Sequence, residues 1–181
     1  MGKLIFSMNV SVDGYVDDTQ GTLVMGPPSD VLFDYWIQAV RGSAGAIYGR
    51  RMYEVMRYWD VDQPEWSEAS RAFAVAWRAL PKWVVSKTLL SVGPNAELIG
   101  GDIEVRVREI KARTEGTISV SGPEIAGFMT RLGLVDAYQL VVRPFVLGGG
   151  KAFFREAVGA LRFVSSEMLD GETVRLVYAP G

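Results

Sequence analysis

Apolar residues along this chain follow two spacings, which predict strands separated by helices. Short runs rich in β-branched residues stop at glycine, serine or proline and predict strands, whereas apolar residues repeated every three or four positions predict helices. The strands are predicted at residues 3–12, 44–48, 82–85, 96–99, 118–120 and 138–142, and the helices at 29–42, 50–56, 66–80, 103–110 and 123–132. Two alternating runs, 162–169 and 173–178, flank Asp170-Gly171 and predict a hairpin. Ser29 and Asp30 supply the cap of the first helix.

Strands that alternate with helices predict a parallel sheet covered on both faces, and the closing hairpin predicts an antiparallel edge. The expected fold class is therefore three-layer α/β, with a mostly parallel central sheet and a C-terminal antiparallel hairpin. A chain of 181 residues is expected to form one domain over residues 1–181. In such sheets ligands bind beyond the carboxyl ends of the strands, where Gly49, Ser86 and Gly122 are predicted to lie.

The composition of the chain excludes several kinds of partner and catalytic group. Hydrophobic residues make up 49% of the chain and charged residues 22%, and 19 basic against 21 acidic residues give a net charge of −2. This balance disfavours nucleic acid as a partner. The chain has no cysteine and no histidine, so we expect no thiol nucleophile, no disulfide and no metal site of the zinc type. It shows no secretory signal and no apolar run near the ~20 residues of a membrane span, and a cytoplasmic location is expected.

Three of the strand ends carry residues suited to phosphate. A strand is followed by Gly49-Arg50-Arg51, another by Ser86-Lys87-Thr88, and a third by Ser121-Gly122-Pro123 before a helix. Free amides and the dipole at a helix start favour an anion such as a pyrophosphate. The order of these junctions, behind a first strand that ends in Ser11-Val12-Asp13-Gly14, resembles the dihydrofolate reductase fold.

A second set of residues narrows that resemblance to one family. The run from Leu134-Val135-Asp136 through Arg143-Pro144 to Leu147-Gly148-Gly149-Gly150 resembles the reductase domain of the bifunctional riboflavin-biosynthesis enzyme, the RibD C-terminal domain. The resemblance covers nearly the whole chain. The triple glycine serves there as a family marker and is expected to form a chain reversal rather than a phosphate cradle, because no helix is predicted directly after it.

The resemblance implies NADPH as the cofactor and gives roles to residues at the strand ends. Gly49 would let the backbone approach the dinucleotide, and Arg50 would reach the 2′-phosphate, for which a guanidinium is well suited. Arg51 would lie near the pyrophosphate. Ser86 and Lys87 would add a hydroxyl and a cation for the same 2′-phosphate, so that NADPH is favoured over NADH.

The same resemblance assigns the third junction and the first strand. The pyrophosphate would meet the backbone of the junction formed by Ser121, Gly122, Pro123, Glu124 and Ile125, although proline offers no amide hydrogen. The backbone near Asn9 and Val16 would hold the nicotinamide carboxamide. Dihydrofolate reductases carry one carboxylate on the first helix, and the nearest match here is Asp34, which is the candidate catalytic residue or else a solvent-facing helix residue.

These assignments predict an NADPH-dependent reductase that resembles the 5-amino-6-(5-phosphoribosylamino)uracil reductase domain and reduces a small heterocyclic or sugar-imine substrate. Hydride transfer requires alignment and a proton source, and a chain without histidine can supply both. One alternative is dihydrofolate reduction, which requires Asp34 in the pocket. Another is a non-catalytic module that binds or senses NADP. The family resemblance also implies a homodimer.

Overall fold

An eight-stranded, mostly parallel sheet forms the centre of the molecule. The computed structural model describes residues 1–22 and 28–181. The strands are β1 Lys3–Ser11, β2 Tyr15–Asp17, β3 Ser43–Gly49, β4 Lys82–Val85, β5 Ala96–Ile99, β6 Thr117–Ser121, β7 Ala137–Arg143, β8 Lys151–Ala152, β9 Leu161–Met168 and β10 Val174–Pro180. The main sheet has the order β5-β4-β3-β6-β1-β7-β10-β9. The six strands from β5 to β7 are parallel, and β10 and β9 form the predicted antiparallel edge.

Within residues 1–22 and 28–181, five helices cover the sheet. They are α1 Asp30–Arg41, α2 Arg50–Met56, α3 Glu68–Ala79, α4 Ile103–Arg113 and α5 Pro123–Arg131, and a 3-10 turn over Arg57–Asp60 follows α2. The cap of α1 is Ser29 alone, whose hydroxyl accepts the Leu32 amide at 3.2 Å, while Asp30 is the first helical residue. Among the residues that the structure describes, no helix combines the length and the apolar character needed to cross a bilayer.

Two apolar cores lie on opposite faces of the sheet. On one face α4 and α5 pack over the central strands, with Phe6, Ile110 and Met129 fully buried. On the other face α1 and α3 pack over β3 and β4, with Tyr48, Phe73 and Trp77 at the centre. The predicted three-layer α/β class is therefore confirmed, together with its parallel centre and antiparallel hairpin.

The central strands are apolar on one face only. In β1, β6 and β7 the residues that face the α4–α5 core are apolar, while the alternate positions hold mostly polar side chains, with Ile5, Ala137 and Val141 as exceptions. Strands buried on both faces of a parallel sheet are normally apolar throughout. The alternation leaves a polar floor beneath α1, and the polar positions that line a cavity there are Ser7, Asn9, Thr117, Ser119, Ser121, Gln139 and Arg143.

The segment after β1 folds against the loop after β7, a pairing that the sequence did not predict. β2 pairs with β8, and the Asp13 carboxylate accepts hydrogen bonds from the Leu147 and Gly148 amides at 3.1 and 2.7 Å. Gly150 has φ +131° and lies directly against the Asp17 carbonyl, where any side chain would collide. The triple glycine therefore forms part of a turn beside the end of β1. This agrees with the chain reversal that was expected there.

Candidate functional site

A cleft of about 280 Å³ lies at the carboxyl ends of β3 and β6, between the starts of α2 and α5. This is the edge of the sheet where parallel α/β folds bind ligands. Eight of the predicted cofactor residues line it: Val16, Gly49, Arg50, Arg51, Gly122, Pro123, Glu124 and Ile125. The structure therefore brings two of the three predicted strand-end junctions, those at Gly49 and Gly122, together in one cleft.

The start of α5 presents backbone donors to this cleft. Gly122 caps the helix with φ +110°, a conformation that glycine adopts without strain, and its amide meets only the Met8 sulfur at 3.3 Å. The Glu124 and Ile125 amides have no acceptor among the described residues, as expected for the first turn of a helix. A Cβ at Gly122 would lie in ordinary contact with Met52 at 3.4 Å, so it is the positive φ that favours glycine at this position. These features fit the phosphate groups of a dinucleotide.

Arg50 joins the first junction to the second. Its Nη1 donates to Thr88 Oγ1 at 2.8 Å, and Thr88 Oγ1 lies 3.5 Å from the Ser86 hydroxyl. Its Nε also pairs with the Glu54 carboxylate at 2.8 Å. The exposed Arg50 guanidinium is therefore linked to Ser86 through Thr88, a residue that the sequence analysis did not assign, and the role of these residues toward a 2′-phosphate stays a prediction.

Four other predicted cofactor residues lie outside the smaller cleft. Ser86 and Lys87 line neither cavity, and the Ser86 hydroxyl accepts the Thr88 and Leu89 amides of its own turn. Asn9 and Ser121 line an adjoining, larger cavity instead. The roles of all twelve residues toward a cofactor stay predictions, but ten of them line one of two neighbouring cavities.

The larger cavity, about 650 Å³, lies between the polar floor of the sheet and α1. Its size is that of a small-molecule site. Aromatic and apolar side chains form the walls opposite the floor, among them Phe33, Trp36, Val40, Trp59 and Phe73. Met8 and Met52 line both cavities, so the larger one opens beside the smaller.

Tyr35 is the hydroxyl that α1 contributes to this cavity. Gln139 Nε2 donates to Tyr35 Oη at 2.7 Å and to Ser7 Oγ at 2.9 Å, which uses both amide hydrogens. The Tyr35 hydroxyl hydrogen is therefore left available to a ligand. Burial raises the pKa of Tyr35, and the neighbouring Arg175 opposes that rise. The phenol thus stays protonated near neutral pH.

Asp34, the candidate catalytic residue, does not reach the cavity. Its side chain is exposed on α1 and accepts a hydrogen bond from Gln38 Nε2 at 3.3 Å, while its neighbours Phe33 and Tyr35 line the cavity. The helical spacing explains the difference, because consecutive residues project about 100° apart around a helix. The predicted residue is therefore one position away from Tyr35, whose side chain lines the cavity.

The fold defines an α/β domain of the dihydrofolate reductase type, with two neighbouring cavities at the carboxyl ends of its parallel strands. Residues 2–174 match the model of the RibD C-terminal domain. The chain belongs to this family, as the run from Leu134 through Arg143-Pro144 to Gly150 predicted.

The known proteins that are similar to this chain match nearly all of its length. The uncharacterized protein YyaP of Bacillus subtilis (strain 168) is 23% identical over 182 residues, covering 97% of this chain and 94% of that protein. A putative riboflavin biosynthesis protein from Shewanella sp. PV-4 superimposes with a TM-score of 0.73 at 21% identity, with 99% of each chain covered.

A bifunctional enzyme has the same fold in part of its length. The Thermotoga maritima diaminohydroxyphosphoribosylaminopyrimidine deaminase/5-amino-6-(5-phosphoribosylamino)uracil reductase superimposes with a TM-score of 0.68 at 14% identity. The match covers 99% of this chain and 57% of that enzyme. At such identity these structures establish the fold, and the family match points to a reductase-like oxidoreductase.

Proposed function

We propose that this protein is an NADPH-dependent reductase that transfers hydride to a small heterocyclic or sugar-imine substrate. The observation that carries the proposal is the pair of neighbouring cavities at the carboxyl ends of the parallel strands, which share Met8 and Met52. One cavity combines free helix amides with arginines, as a dinucleotide requires. The other has the volume of a small substrate and contains a protonated hydroxyl.

In this proposal the residues of the chain bind the cofactor, orient the substrate and supply a proton to it. The amides of Glu124 and Ile125 hold the pyrophosphate, and Arg50 with Thr88 binds the 2′-phosphate. NADPH, when bound, supplies the hydride. Tyr35, oriented by Gln139, donates a proton or a hydrogen bond to the substrate atom that gains charge. The aromatic wall of α1 excludes water from the reacting groups.

The two alternative functions receive less support. Dihydrofolate reduction requires a carboxylate in the pocket, and Asp34 is exposed and bonded to Gln38. No other carboxylate lines the larger cavity within residues 1–22 and 28–181. A module that only binds NADP has no need of a second cavity beside the dinucleotide cleft. The homodimer implied by the family and a cytoplasmic location are part of the proposal, and light scattering of the purified protein measures the first.

Cofactor titration tests the proposal. NADPH and NADH are added separately to the purified protein while tryptophan emission is followed, because Trp36 and Trp59 line the larger cavity. We expect saturable quenching with a lower Kd for NADPH. Oxidation of NADPH at 340 nm is then followed with 5-amino-6-(5-phosphoribosylamino)uracil and, separately, with dihydrofolate.

Each result has a defined meaning. Equal affinity for the two nucleotides, or no binding of either, refutes the proposed cofactor. Tight NADPH binding without oxidation by either substrate points to another heterocycle or to the sensing module. Turnover of dihydrofolate alone supports the first alternative in spite of the position of Asp34.

A further inference from the structure

The Tyr35 hydroxyl lies close to a guanidinium on the floor of the larger cavity. Gln139 of β7 and Arg175 of β10 both line this cavity beside Tyr35. In the ladder between the two strands Gln139 faces Val177, so Arg175, two residues away, is its diagonal neighbour on the same face of the sheet. The phenol oxygen therefore has two neighbours, an amide that already donates to it and a cation.

The guanidinium of Arg175 has one donor in use and one without a partner. Its Nη2 pairs with the Glu167 carboxylate of β9 at 2.8 Å. Its Nε is buried and has no hydrogen-bond partner within the part of the chain that the structure describes. Buried polar atoms are nearly always paired, because leaving one unpaired costs the free energy of its lost hydration. The Nε donor is thus available to an acceptor that forms during the reaction.

A tyrosine that gives up a proton becomes such an acceptor, because it leaves a phenolate. Burial raises the pKa of Tyr35, the charge of Arg175 lowers it, and the charge of Glu167 raises it again. Arg175 keeps its own charge at any accessible pH. Among the described residues, the only other charged one that lines the cavity is Arg143 of β7. A phenolate at position 35 would therefore form beside positive charge, with Gln139 already donating to its oxygen at 2.7 Å.

We propose that Arg175 is a positioning residue, which together with Gln139 holds the Tyr35 oxygen and stabilises the phenolate formed when Tyr35 gives its proton to the substrate. This inference rests on the proposed reductase function. A hydride, which NADPH supplies, adds to one atom of the substrate double bond, and the other atom takes up the electron pair of that bond. The O–H bond of Tyr35 breaks as its proton passes to this second atom. Arg175 Nε donates a hydrogen bond to the phenolate oxygen until solvent returns the proton.

Titration of Tyr35 tests this without cofactor or substrate. The full chain is labelled with 3-fluorotyrosine and followed by 19F NMR, and the resonance of Tyr35 is the one that is missing from Tyr35→Phe. In Arg175→Met we expect the pKa of Tyr35 to rise by about one unit or more, because a neighbouring cation is removed. In Arg175→Lys the rise should be smaller, because the charge is kept. Arg162→Met, at an exposed arginine of β9, is the matched control and should leave this pKa unchanged.

Glu167→Gln changes the same pKa in the opposite direction. Removal of this carboxylate leaves the charge of Arg175 uncompensated, so the pKa of Tyr35 should fall. General damage to the fold would not move the two variants in opposite directions. The inference is overturned if the pKa of Tyr35 does not rise in Arg175→Met, or if it does not fall in Glu167→Gln.

The kinetics of NADPH oxidation give a second readout, with whichever substrate is turned over. In Arg175→Met kcat at pH 7 should fall with KM little changed, because a phenolate that is less stabilised makes Tyr35 a weaker acid. A rise in KM with kcat unchanged would contradict the assignment, since Arg175 would then bind the substrate directly.

The Kd for NADPH, measured on the same variants, separates this inference from the proposed function. Arg175 does not line the smaller cleft, so its replacement should leave that Kd unchanged. Shifts of the expected signs in a protein that binds no NADPH would refute the cofactor and leave the pairing of Arg175 with Tyr35 standing. NADPH binding without these shifts would do the reverse.

Discussion

If the protein binds NADPH as proposed, replacement of Arg50 by alanine should remove most of its preference for NADPH over NADH. The guanidinium is held between Glu54 Oε1 and Thr88 Oγ1, each at 2.8 Å, and these contacts use Nε and one Nη1 hydrogen. The Nη2 donors are left for a ligand. NADH lacks the 2′-phosphate, so the loss should fall on NADPH alone.

The size of the effect follows from the exposure of Arg50. A hydrogen bond between charged groups contributes about 1.5–3 kcal/mol, and about half of this side chain, 53%, is accessible to solvent. The lower figure is therefore the appropriate one. About 1.5 kcal/mol corresponds to a roughly tenfold rise in the Kd for NADPH. Part of the interaction is screened by ions, so the preference for NADPH should also shrink as salt is raised.

Fluorescence titration of wild type, Arg50→Ala and Arg57→Ala measures this effect. Arg57 is the matched control, because it is similarly exposed at 59% and paired with Asp60, but does not line the cleft. Arg57→Ala should bind both nucleotides as wild type does. An equal loss for NADPH and NADH in Arg50→Ala would refute the assignment, since the interaction would then involve a part that the two nucleotides share.

Three further predictions address the cavity and the fold. Tyr35→Phe should lower kcat by about 10²-fold or more, with the Kd for NADPH unchanged, if its hydroxyl supplies a proton; an unchanged kcat would exclude that role. Gly150→Ala should cost about 1–3 kcal/mol in urea unfolding, because φ is +131° and a carbonyl of β2 blocks the added carbon, whereas Gly159→Ala, with open space around it, should cost less. The Ser29 hydroxyl lowers the pKa of Asp170 to about 2, so this carboxylate stabilises the fold above pH 3.8 and the benefit is lost as the pH falls toward 2. Asp170→Asn should flatten that part of the stability profile, and an identical acid limb in wild type and variant would contradict the assignment.

The sequence predicted the elements well because their local signals agree with the fold. Asp170-Gly171 lies at the turn between β9 and β10, and the strand predicted at 82–85 has the observed bounds of β4. The short strands β2 and β8 were missed because three and two residues carry no periodicity. They are defined by long-range contacts, chiefly the Asp13 carboxylate on the amides after β7.

The site was predicted only where a local motif marks it. Gly49, Arg50 and Gly122 belong to strand-end motifs, whereas Tyr35 and Arg143 line the larger cavity through the packing of α1 over distant strands. A signal for that cavity was present in the sequence. β1, β6 and β7 alternate polar and apolar residues, although they lie in the middle of a parallel sheet, where both faces are normally apolar. Here that alternation coincides with a face that lines a cavity rather than packing against core side chains.

The sheet order separates the two ends of the proposed site. The arginines assigned to the nucleotide follow β3, and Arg143 ends β7, with β6 and β1 between these strands. Three strand spacings of about 4.8 Å place these two ends about 14 Å apart. Met8 and Met52, shared by both cavities, lie between them, so the uncharged reacting rings would meet over an apolar surface where a hydride can pass without competition from water.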